Sequence, residues 1–190
     1  MLFRSDGDKA AVLVRLAPRA GESAAMRDAF FDAARSIMSD GSKREVLLEA
    51  LKHNASDSTV AAAVAIARGM VSETERGTVL RAVAATQALA SPTVREAFFR
   101  ATTSMVSETA RERVLTAALQ ARPADLAVAV AAADAASKMV SSTPKSNVLL
   151  EAAARTPILR DEAGRAAFFA AVKTIQSSSD YRRVMEAVVK

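Results

Sequence analysis

The phrase SDGDKAAVLVRL at Ser5–Leu16 returns at Ser39 as SDGSKREVLLEAL, and the chain then writes four more versions of it. Aligned on the serine, the copies stand at Ser5, Ser39, Ser72, Ser107, Ser141 and Ser177, spaced 34, 33, 35, 34 and 36 residues apart. Seven and eight residues after each anchor comes a fixed apolar pair, Val12-Leu13, Val46-Leu47, Val79-Leu80, Val114-Leu115, Val148-Leu149 and Val184-Met185. Two residues before the later anchors stand Ile37, Met70, Met105, Met139 and Ile175. A period near 34 with so regular an apolar pattern constrains the chain to an array of helical hairpins, each unable to bury its apolar face alone.

Each copy reads as two helices. Helix A runs up to the anchor, with apolar residues nine, eight, six, five and two positions before it, a spacing that keeps one broad stripe inward. Helix B follows the anchor. Thr74, Thr109, Thr143 and Ser179 are placed to cap its free N–H groups, with Pro144 at the first helical position. Asp8, Glu75 and Asp180 stand in the same first turn, where a negative charge meets the positive end of the helix dipole. Pro18, Pro92, Pro123 and Pro157 fall in the connections. The expected fold is all-α, a right-handed α-solenoid of five to six partial or complete units, forming one repeat domain over residues 1–190.

Alanine dominates the 51% hydrophobic fraction and aromatics make up only 4%, which suits close helix packing rather than twisted sheet. Phe30-Phe31, Phe98-Phe99 and Phe168-Phe169 occupy helix A in alternate copies, and Ala63-Val64 and Ala132-Ala133 stand at the same positions between them. Helices about 8–10 Å apart cannot all be bulky at one level, so this alternation reads as interdigitating core rather than as a ligand stripe.

The final copy, IQSSSDYRRVMEAV at Ile175–Val188, and the earlier IMSDGSKREVLLEAL at Ile37–Leu51 resemble tandem bacterial repeats of the form I-x-S-D-x-x-K-x-x-V-L. Such repeats follow the membrane-embedded zinc peptidase domain in antibiotic-sensor-like metallopeptidases. The resemblance covers nearly the whole chain and implies a tetratricopeptide-like or HEAT-like helical array used as an interaction surface. The tetratricopeptide signature itself, a tryptophan, Leu-Gly and tyrosine in the first helix, is missing. So is the metallopeptidase HExxH helix.

Catalytic constellations are scarce. The lone histidine, His53, sits beside Lys52 at the end of a helix B, where a polar or cationic side chain suits the carbonyl end of the dipole. No His, Cys or carboxylate cluster has zinc spacing, and neither a Gly-rich phosphate loop nor a G-x-S-x-G elbow is present. The acidic pair Asp161-Glu162 falls at a helix start. No cofactor or metal is expected, and the chain is read as a non-catalytic protein-interaction scaffold. The longest uncharged apolar stretch, Leu126 to Ala133, is too short to span a bilayer.

The net charge of +5 comes from 26 basic and 21 acidic residues, interleaved along both halves rather than gathered in a patch. One charge series is regular. Four residues after each of the first five anchors stands a cation: Lys9, Lys43, Arg76, Arg111 and Lys145, with Tyr181 ending the run. A cation near a helix start is mildly disfavoured by the dipole, so each asks for a partner. An internal partner is expected, Glu73, Glu75, Glu108 or Glu112 or the carbonyl end of a neighbouring helix A. The alternative is an electropositive rail for an acidic protein segment. A HEAT-like nucleic-acid protein of the DNA glycosylase kind is the rival reading, disfavoured because Tyr181 alone stands outside the core-like phenylalanines as a stacking platform.

Only Met1–Arg4 precede the first anchor, where other copies supply a whole helix A. The last helix stops at Lys190 with Val184, Met185, Val188 and Val189 in one stripe. Natural arrays close their ends with polar faces. The expectation is therefore a segment cut from a longer array at both ends, prone to self-association through its terminal repeats. An incomplete N-terminus would hide a leader, and the absence of cysteine suits cytosol or periplasm, which leaves localisation open.

Overall fold

The computed structural model describes residues 5–122 and 124–189; Met1–Arg4, Pro123 and Lys190 lie outside the described residues. Among the described residues every regular element is helical, eleven α-helices and two short 3-10 turns. The fold is all-α.

The anchor serines explain where the helices start. Ser5, Ser39, Ser72 and Ser107 are extended N-cap residues whose hydroxyl oxygens accept the backbone N–H three residues on, at Asp8, Ser42, Glu75 and Ala110. Ser177 accepts from Asp180 N in the same way, at 3.2 Å. The cap is thus the anchor itself, and Thr74, Thr109, Thr143 and Ser179 lie inside the first turn, a correction to the sequence reading. The serine wins because only the residue just outside the helix can turn its side chain back to the third N–H. Ser141 makes no such cap, because three residues on stands Pro144, which has no N–H to give. Pro144 is the third helical residue rather than the first, still within the turn where a missing donor costs no intrahelical bond.

The chain divides into two compact units, residues 1–101 and 102–190. The first contains α1 (Asp6–Leu16), α2 (Ala24–Arg35), α3 (Asp40–His53), α4 (Asp57–Arg68), α5 (Glu73–Ala84) and most of α6 (Pro92–Thr103). Within it α1 packs on α3 and α3 on α5, α2 packs on α4, and consecutive helices from α1 to α5 pack on one another. The second contains α7 (Glu108–Ala121), α8 (Leu126–Ser137), α9 (Ser142–Arg155), α10 (Glu162–Val172) and α11 (Ser178–Val189). There α7 packs on α9, α9 on α11, and α8 lies against both α9 and α10. Packing of each helix on the next but one is what stacked hairpins produce.

The apolar pairs form the spine of each unit. Val46, Leu47, Val79 and Leu80 are buried in the first, and Val114, Leu115, Val148 and Leu149 in the second. Helix A contributes alternating sizes. Phe30 and Phe31 on α2 are buried, while α4, packed against it, carries buried Ala63 and Val64. In the second unit α8 offers buried Ala132 and Ala133 where α10 offers Phe168. Each phenylalanine pair is edge-to-face, with ring centroids 5.2, 5.2 and 5.5 Å apart, an arrangement the ring quadrupole favours.

Candidate interaction surface

Between helix A and helix B each repeat makes a tight turn, and its chemistry is conveyed by three adjacent residues. The residue two before the anchor points inward: Ile37, Met70, Met105, Met139 and Ile175 are all buried. The next points outward. Met38 is 83% exposed, Val71 90%, Val106 86% and Val140 79%. The first residue of helix B then reaches back to the following repeat. Asp6 Oδ2 accepts from the backbone N–H groups of Met38 and Ser39 at 2.8 and 2.7 Å. Asp40 Oδ2 accepts from Val71 and Ser72, both at 2.7 Å. Glu108 takes Val140 N on Oε1 at 2.5 Å and Ser141 N on Oε2 at 2.6 Å. Glu73 stands at the same register.

At Ser142 a hydroxyl replaces the carboxylate. Its oxygen accepts from Gln176 N and Ser177 N at 3.2 Å each, a longer and uncharged version of the same staple. Burial pushes the Asp40 carboxyl up, but hydrogen bonds from Ser72 and Val71 and the nearby Lys43 outweigh it, and the net shift is below the usual aspartate range. Glu108 behaves alike: burial raises it, while Ser141, Val140 and Arg111 together bring it below the ordinary glutamate value.

The cation series runs inward. Arg76, Arg111 and Lys145 are buried, and Lys9 and Lys43 are half-buried. The Arg76 guanidinium donates to the Ala101 carbonyl near the end of α6, and Arg111 donates to the Met105 carbonyl in the turn before its own helix. Lys145 Nζ donates to the Thr174 carbonyl at 2.8 Å and to Thr174 Oγ1 at 2.7 Å. Lys43 Nζ lies 3.4 Å from Asp40. Arg76, Arg111 and Lys145 lean past the positive end of their own helix to carbonyls at or just after the close of a helix A, where the dipole is negative. Desolvation pushes the Lys145 ammonium below the usual lysine range, with Glu108 opposing, and desolvation likewise lowers Arg76. With three head groups enclosed, an acidic segment passing outside meets little of their charge.

His53 ends α3 and lies 2.9 Å from Glu49 Oε1 one turn back, a surface pair. Among the described residues no group of three or more His, Cys, Asp or Glu could hold a metal ion, and no helix is long and apolar enough to cross a membrane. Comparison with protein-family models, with curated proteins and with solved structures finds no match. The class these features define is an all-α protein in which a side chain at the start of one helix clamps the turn after the next helix.

The sequence reading missed two features of this surface. The acidic residue directly after the serine recurs in four of the six copies, Asp6, Asp40, Glu73 and Glu108, and was a visible signal. The outward apolar residue directly before it was equally visible, but its direction was not. In a helical stripe two neighbouring apolar residues read as one core face, and only the turn separates them.

Proposed function

We propose that the chain is a non-catalytic module that binds other proteins, and that each unit presents its own apolar turn residues for contact, Met38 and Val71 in the first unit, Val106 and Val140 in the second. Its repeats are read as those of the bacterial I-x-S-D-x-x-K-x-x-V-L kind, stacked as a solenoid. The observation that carries the reading is a large apolar side chain left almost fully exposed at one register in four successive copies. Single exposed apolar residues are ordinary on any surface, whereas repetition at one register is a pattern that packing does not require. The backbone at the turns of Met38, Val71 and Val140 is already fixed by two hydrogen bonds to a carboxylate, so little additional ordering accompanies association there.

The test is a fourfold variant, Met38→Gln, Val71→Gln, Val106→Gln and Val140→Gln, compared with wild type for melting temperature and for proteins recovered on immobilised chain. These side chains touch little of the fold, so the expected result is an unchanged melting temperature with loss of proteins that wild type retains. Identical recovery by both would sink the proposal.

A further inference from the structure

We propose that Met38 is an oxidation site, at which a hydroperoxide converts the thioether to the sulfoxide in the folded protein and so removes one apolar contact from the first unit. Loss of the contact rests on the binding role proposed above for the turn residues; the oxidation itself rests on geometry and chemistry alone.

An inward and an outward apolar residue stand side by side at each of these turns. In three copies the inward one is methionine and the outward one valine, as Met70-Val71, Met105-Val106 and Met139-Val140. In Ile37-Met38 the thioether and the branched side chain have exchanged places. Ile37 fills the core and the sulfur stands outside, on a side chain 83% exposed. Met70, Met105 and Met139 are 4%, 1% and 2% exposed, and Met26 and Met185 are half-buried. The exposure of Met38 belongs to its register rather than to its nearness to the start of the chain, because Val71 and Val106 further along are at least as exposed.

Oxidation requires an oxidant to reach the sulfur, so exposure selects the residue. A sulfur lone pair attacks one oxygen of the peroxide, and an S–O bond forms as the O–O bond breaks. The proton on the attacked oxygen passes to the departing hydroxide, which leaves as water; the sulfur gives up two electrons and the peroxide takes them. Valine has no lone pair to offer, which confines the reaction to one turn of the four. The sulfoxide is polar where the thioether was apolar, and sulfoxide reductases return it to the thioether. With the side chain almost wholly outside the fold, the added oxygen meets solvent rather than core.

The test treats the full chain with dilute hydrogen peroxide and follows each methionine by peptide mass spectrometry. Trypsin cuts after Arg35 and Lys43, so residues 36–43 carry Met38 alone. Met38 should oxidise at least about tenfold faster than Met70, Met105 and Met139, and ahead of Met26 and Met185, with the melting temperature unchanged. Equal rates at Met38 and the three buried methionines overturn the site, as does a melting temperature that falls in step with conversion of Met38. A second arm compares the proteins retained by immobilised chain before and after peroxide. Proteins should be lost on oxidation and regained after reduction with dithiothreitol and the sulfoxide reductases for both epimers. Met38→Leu, compared with itself before and after peroxide, should show no such change; an equal loss there overturns the role of Met38. If the fourfold turn variant loses proteins that the oxidised chain keeps, the contact reading stands and the effect of oxidation on it is overturned. If the fourfold variant keeps them all, the contact reading has failed and that effect with it, while the peptide map still decides the oxidation site.

Discussion

Asp40 shows how much of the architecture rests on single atoms. One carboxylate oxygen takes two backbone N–H groups of the next turn at 2.7 Å, and hydrogen bonds to an ionised acceptor contribute about 1.5–3 kcal/mol each at most. Asp40→Asn should therefore lower stability by about 1–3 kcal/mol, measured by urea unfolding. The sign of the pH effect follows from the lowered carboxyl. Its contribution is fully present above the unfolded value of about 4 and is lost as pH falls through the lower folded one. Stability should hold from neutrality down to about pH 4 and fall below it, with a shallower fall in Asp40→Asn. Ser142 is the converse case. Ser142→Glu should restore a charged staple to Gln176 and Ser177 and raise stability by about 1 kcal/mol, read as a melting temperature about 2–4 °C higher.

At the scale of the helix, the size of the cavity left behind decides the outcome. Phe98 on α6 is fully buried, and Phe98→Ala should cost about 3–5 kcal/mol, checked by denaturant unfolding. Glycines separate in the same way. A Cβ at Gly164 in α10 would come within 2.4 Å of the Ile158 carbonyl oxygen, so Gly164→Ala forces backbone to move. At Gly41 in α3 the nearest atom is a serine hydroxyl at 3.8 Å, and Gly41→Ala should stabilise by about 0.5–1 kcal/mol. The all-helical fold and the phenylalanine alternation were legible because apolar spacing and side-chain size are properties of the sequence. The destinations of Arg76 and Lys145 were only half legible. A stem long enough to reach a glutamate on its own helix also reaches a carbonyl on another, and burial decides between them.

Across each whole unit, stability is shared between neighbours, since every helix B rests on the next helix B. The outermost helices have fewer such neighbours: α11 buries only Val184, and α1 only Ala10 and Leu13. Amides in α1 and α11 should exchange with solvent faster than those in α3 and α9, measured by hydrogen exchange mass spectrometry. The direction of the turn residues was the least legible part of the chain. Met38 and Val71 differ from Ile37 and Met70 by one position, and a turn sends one side chain out and the other in.

Bulky and small helices in strict alternation also set the quantum in which such a gene can lengthen or shorten. Losing residues 39–71 alone would bring Phe30-Phe31 into line with Phe98-Phe99, two bulky levels where one fits. Losing residues 39–106 would make Ala132-Ala133 the pair that follows Phe30-Phe31 in sequence, so that bulky and small still alternate. Duplications and deletions in steps of two repeats keep the alternation of bulky and small pairs, and single-repeat steps break it.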